Sequence, residues 1–140
     1  MSTVLKNPAL DTLEESTRND IANELNHFSQ ASHRFLIAWK QGVVLAGPHL
    51  FGTGTGAAAH VQQAVSIWDL CPKLDLIERA IGVMSSGEKA FLAGLVSFYN
   101  AEEGGKLFKR IGVKGLADFG GLDLSRRSVL SSLLLNYTGW

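Results

Sequence analysis

By residue type and spacing, the strongest candidates for chemistry are the glycines of Gly52-Thr53-Gly54-Thr55-Gly56. Alternating glycines let backbone amides approach an anion, and a helix expected to start near Ala57 would turn its positive end toward that anion. Gly52, Gly54, Gly56 and His60 are therefore candidate anion-binding residues, with phosphate or a small phosphorylated molecule as ligand. Neither known phosphate motif is complete. A P-loop needs Gly-Lys-Ser/Thr, and a dinucleotide fingerprint needs a preceding strand, a further glycine and an acid about 20 residues on. A flexible connector is the simpler reading of the same residues.

Other chemistries find less. The histidines are His27, His33, His49 and His60, and no two stand three or four apart on one helix, the spacing that would aim both imidazoles at one metal. His49 and His60 bracket the glycine loop and would meet Asp69 or Cys71 only through the fold. No metal site is expected. Cys71 precedes Pro72 at an expected helix end, where the negative pole of the helix disfavours a thiolate. No Gly-Xaa-Ser-Xaa-Gly elbow is present, so Ser85-Ser86-Gly87 reads as a helix cap. Glu102 and Glu103 diverge by about 100° on a helix and do not face one substrate. The chain offers no catalytic residue and implies no cofactor, which points away from an enzyme.

Arg126 and Arg127 raise a nucleic-acid alternative. Residues 116–121 would be a first helix and turn, and Ser125-Arg126-Arg127-Ser128-Val129 would open a recognition helix across segment 116–131. The register is poor, because the position after the turn that must be buried falls on or beside Arg127. Thirteen basic and thirteen acidic residues leave a net charge of zero, so the electrostatic attraction that supports DNA binding is also missing.

The 140 residues fit one domain, and with 46% hydrophobic and 19% charged residues there is ample core material and few charges to cover it. That balance points to a surface partly covered by a partner. A single cysteine and the lack of a secretory leader fit a cytoplasmic protein, and no apolar run reaches the 18 residues of a membrane span. No membrane partner is expected.

The elements follow from spacing. Residues 1–9 read as a disordered arm, and 10–140 as one helical domain. Leu13, Thr17, Ile21, Leu25 and Phe28 recur at helical intervals after a start at Asp11-Thr12-Leu13-Glu14. Residues 35–46 read as a buried helix, with a hairpin about Lys40-Gln41-Gly42 as the alternative, which would make the fold α+β. A helix should run from Ala57 to Leu70, and a shorter one over 75–84. Ser85 with Glu88 makes a capping box for the next helix, whose Ala90, Gly94, Ser97 and Ala101 form a small-residue stripe. Gly104-Gly105 should end or bend it, and Asp123 caps the last helix, with Leu124, Val129, Leu130, Leu133, Leu134 and Tyr137 inward. Trp39 and Trp68 should be core.

These readings define an all-α, irregular bundle of five to six helices. The function expected is a non-enzymatic protein-interaction or regulatory module that associates with another protein or with a second copy. Its interface is expected on Phe91, Leu95, Phe98, Tyr99, Leu134, Tyr137 and the terminal Trp140.

Overall fold

The computed structural model describes residues 8–52 and 58–139. Six α-helices and four short 3-10 turns make up the described residues, with no strand among them, so the chain is an all-α bundle. The helices are α1 (Pro8–Ala46), α2 (Ala58–Gln63), α3 (Leu74–Ala80), α4 (Ser86–Tyr99), α5 (Ala101–Ile111) and α6 (Leu124–Asn136).

α1 joins what the sequence divides. Pro8 and Ala9, expected in the arm, form its first turn, where proline costs nothing because the first amides of a helix lack partners anyway. The Ser29–Ser32 junction is continuous helix, and so are residues 35–46, which removes the hairpin alternative. Gly42 is there for packing. A Cβ on it would come within 2.9 Å of Leu95 Cδ2 and 3.2 Å of Val129 Cγ1, so its bare backbone lets α1 close on α4 and α6.

Ser85 accepts from the Glu88 amide at 3.3 Å, and Glu88 Oε1 accepts from the Ser85 amide at 3.3 Å, completing the box that starts α4. α4 is the axis of the core: Ala90, Phe91, Leu92, Ala93, Leu95 and Val96 are all buried, packed against Trp39 and Val43 of α1 and Val129 and Leu133 of α6. The break after α4 falls at Asn100, four residues before the expected glycines. Asn100 accepts from the Glu103 amide at 3.0 Å, so its side chain starts α5. Gly104 instead sits inside α5, where a Cβ would come within 2.5 Å of Ser97 Cβ and 2.6 Å of Ser97 N. Gly94 and Ser97 of the small-residue stripe are thus consumed internally, Ser97 by α5 and Gly94 by Leu130 of α6 at 3.2 Å from a Cβ on it, whereas Ala101 falls in α5 and is exposed.

Residues 64–73 cross α1 in mostly irregular chain. Ala64 to Leu70, expected to continue α2, instead runs as a turn and a 3-10 segment (Ile67–Leu70). Asp69 Oδ2 accepts from the Val65 and Ser66 amides at 2.9 and 3.2 Å, a local alternative to helix. Trp39 Nε1 donates to Leu70 O at 3.1 Å and ties this crossing to α1.

Candidate interaction surface

The buried face of α1 is set by Ala31, Phe35, Ala38, Trp39 and Val43. Five turns earlier on a helix of 3.6 residues per turn, the same azimuth carries Thr17, Ile21 and Leu25, with Phe28 completing the stripe. There the described residues of the body leave it uncovered. Ile21 is 53% exposed, Leu25 67% and Phe28 59%, and every residue from Glu14 to Asn26 is exposed. His27 Nε2 donates to Leu135 O at 2.9 Å, which marks where α6 ends and the free stretch begins. From Pro8 to Asn26 this arm projects about 27 Å at 1.5 Å per residue.

Leu135, Leu134 and Leu124 are also exposed, all on α6, and Tyr137 follows them. Leu124 and Leu134, expected inward, lie outside because the inner side of α6 is already filled by Val129 and Leu133. Trp68, expected in the core, is 58% exposed on the crossing segment, its ring edge-on to Tyr99 at 5.7 Å. A groove of about 440 Å³ opens between α4, α5 and α6, lined by Gly94, Phe98, Phe108, Phe119, Leu130 and Leu134.

The expected interface residues therefore divide. Phe91 and Leu95 are wholly buried and have no surface to offer, a correction that follows from α4 being central rather than peripheral. Phe98 and Tyr99 are half-buried, Leu134 and Tyr137 are exposed, and Trp140 lies outside the described residues. The residues missed are Ile21, Leu25 and Phe28. Their helical spacing is plain in the sequence, but a one-sided stripe looks the same whether or not the fold covers it.

The anion candidates are reached only in part, since Gly54 and Gly56 lie outside the described residues. Gly52 has φ +79°, and its amide donates to Cys71 O at 2.8 Å while Lys73 N donates to Leu50 O at 2.8 Å. This short antiparallel pairing at Phe51 and Pro72 holds the two chain segments together. His60 packs against Gly52 with its Nε2 buried and without a hydrogen-bond partner. α2, with six residues, is too short to gather a strong helix dipole. Among the described residues no three His, Cys, Asp or Glu side chains stand together as a metal site.

Arg126 and Arg127 are engaged within the chain. Arg126 pairs with Asp123 at 2.5 Å, and its guanidinium lies 5.7 Å from the centre of the Phe91 ring. Arg127 Nε donates to Leu122 O at 2.8 Å, and its terminal nitrogen donates to Gly120 O. Both guanidiniums thus hold groups of the turn before α6, and Arg127 remains exposed.

Cys71 Sγ donates to Trp68 O at 2.9 Å and accepts from the Tyr99 hydroxyl at 3.0 Å. Burial first, and then the hydrogen bond and charge of Cys71, push the Tyr99 phenol up to about 12. No described helix is long and apolar enough to cross a membrane. No family model, curated protein or solved structure matches the chain.

Proposed function

We propose that the chain is a non-enzymatic helical interaction module whose docking element is the projecting arm of α1. The observation that carries this reading is the exposure of Ile21, Leu25 and Phe28 on the same face that, further along the same helix, forms the core. Each large apolar side chain left in water forgoes roughly 1.5–3 kcal/mol of burial free energy. A partner helix laid along the stripe recovers it.

The arm's composition adds a second argument. Ser16, Thr17, Asn19, Asp20, Asn23 and Asn26 are weak helix formers, and an isolated helix of this length is marginal in water. Helicity here depends on covering the stripe.

Amide hydrogen exchange across residues 14–30 tests the reading. The expected result is rapid exchange in dilute protein and protection when the arm is docked, with Leu25→Asp abolishing the protection. Strong protection in a dilute monomer, showing the arm folded back on its own body, would overturn it.

A further inference from the structure

We infer that the cavity between α1, the crossing segment and the end of α6 binds a small, neutral aromatic molecule carrying one N–H or O–H donor. What carries this is a buried, unpartnered amide oxygen, that of Asn136, on a residue in the wall of a cavity lined by aromatic rings. None of the wall residues belongs to the exposed stripe of the arm, so this site and the arm's docking role are tested separately.

The acceptor comes first. Asn136 is the last residue of α6 and only 5% exposed, because α6 lies along α1. Its Nδ2 donates to Ser132 O at 2.9 Å. A carbonyl can only accept, so the nitrogen has to face Ser132, and the planar amide turns Oδ1 away from that turn of the helix. Oδ1 is buried and accepts from no group among the described residues. An unpaired buried acceptor carries a cost that an apolar side chain of the same shape avoids. A bound donor removes that cost, and only while it is bound.

The cavity supplies the room. It measures about 410 Å³, within the range of small-molecule sites. Phe35 of α1, Trp68 of the crossing and Tyr137 after α6 place three rings around it. Each is held in position. The Phe35 and Tyr137 ring centres lie 5.8 Å apart at 53°, Trp68 stands edge-on to Tyr99 at 5.7 Å, and Trp68 O accepts from Cys71 Sγ at 2.9 Å. Rings already fixed lose little freedom when a flat molecule packs against them.

Polarity narrows the ligand. Among the described residues of the wall there is no Lys, Arg, Asp or Glu, so an entering ion would give up water without gaining an opposite charge. The amide of Ser66, another wall residue, already donates to Asp69 Oδ2 at 3.2 Å. The buried polar atom left wanting is an acceptor, so the ligand has to bring the donor.

The experiment uses the whole chain labelled with nitrogen-15 and two probes of nearly one shape: indole, which has a ring N–H, and 1-methylindole, which has none. The expected result is saturable shifts of the Asn136 side-chain amide and the Trp68 ring N–H, with 1-methylindole bound roughly tenfold more weakly or worse. Phenol should compete with indole. Asn136→Leu removes the unpaired acceptor at similar size; it should melt no lower than the parent and bind the two indoles equally. The comparison on the parent chain stands whether or not that variant folds. Equal binding of the two indoles by the parent, or a preference for indole that survives in Asn136→Leu, would overturn the inference. So would the absence of saturable shifts with both indole and phenol, which would leave the cavity to water. Binding that appears only in Trp140→Ala would overturn it as well, by showing that the chain's own indole takes the place.

Discussion

Ile21 and Trp39 occupy the same azimuth of α1, eighteen residues or about five turns apart, yet Trp39 is completely buried and Ile21 is more than half exposed. One helix thus presents one continuous apolar face to two environments. The boundary lies near His27, whose ring donates to Leu135 O near the end of α6.

That contrast predicts opposite outcomes for equivalent truncations. Trp39→Ala leaves a cavity amid Phe35, Phe51 and Tyr99 and loses the bond to Leu70 O, so it should cost roughly 3–5 kcal/mol. Ile21→Ala should change the stability of the dilute monomer by less than about 0.5 kcal/mol. Urea unfolding of both variants at low protein concentration checks the pair, and a large loss in Ile21→Ala would place the arm against its own body.

Two neighbouring glycines of α5 should also respond in opposite directions. Alanine is the better helix former by roughly 1 kcal/mol, and at Gly105, with nothing within 4 Å of a Cβ, that gain should appear as added stability. At Gly104 the new methyl meets the backbone of Ser97, which cannot step aside without separating α4 from α5. Gly104→Ala should therefore destabilise by about 1–3 kcal/mol. Thermal melts of the two variants beside the parent chain decide it.

Much of the fold was legible because its signals are local. The Ser85 capping box, the Asp123 cap and the apolar periodicities each concern residues within one or two turns. What escaped depends on contacts distant in sequence. Gly42 resembles a hairpin turn until Leu95 and Val129 are seen to press on it, and Gly104 resembles a helix end until Ser97 is seen against it. The small-residue stripe of α4 signalled close helix packing, but not that the packing is internal. The apolar face of residues 17–28 was legible as a face, whereas its exposure depends on where α6 stops. Phe91 and Leu95 failed as interface residues for the same reason: which side of α4 remains outside is decided by α1, α5 and α6 together.

Acid should loosen the starts of α4 and α6. The Ser85 hydroxyl and then the Ser85 amide hold the Glu88 carboxyl below its ordinary value of 4.5, with Arg126 adding a smaller pull in the same direction. The Arg126 amide and then its guanidinium hold Asp123 below 3.8. A carboxylate whose folded pKa is depressed contributes stability above its unfolded pKa and loses it as pH falls through the folded value. Stability should therefore decline below about pH 4.5, the decline being shallower in Glu88→Gln. Ser85→Ala removes the largest cause acting on Glu88, so carboxyl NMR should show that group titrating closer to 4.5, alongside a loss of about 1 kcal/mol from the missing cap.

At the alkaline end Tyr99 sets the sign. Its phenol is pushed up to about 12 from an ordinary 10.0, first by burial and then by donating to Cys71 Sγ, which stabilises the protonated form. A group whose folded pKa is raised gives stability that is whole below its unfolded value and disappears as pH climbs through the folded one. The contribution from Tyr99 should therefore persist to pH 10.0 and fade toward pH 12. Cys71→Ala deletes the acceptor and the charge but not the burial, so Tyr99 in that variant should titrate lower yet still above 10.0. Carbon-13 NMR of the assigned Tyr99 Cζ would follow both chains. A Tyr99 midpoint near 10.0 in the parent would mean that the hydroxyl is solvated and that its bond to Cys71 does not hold in solution.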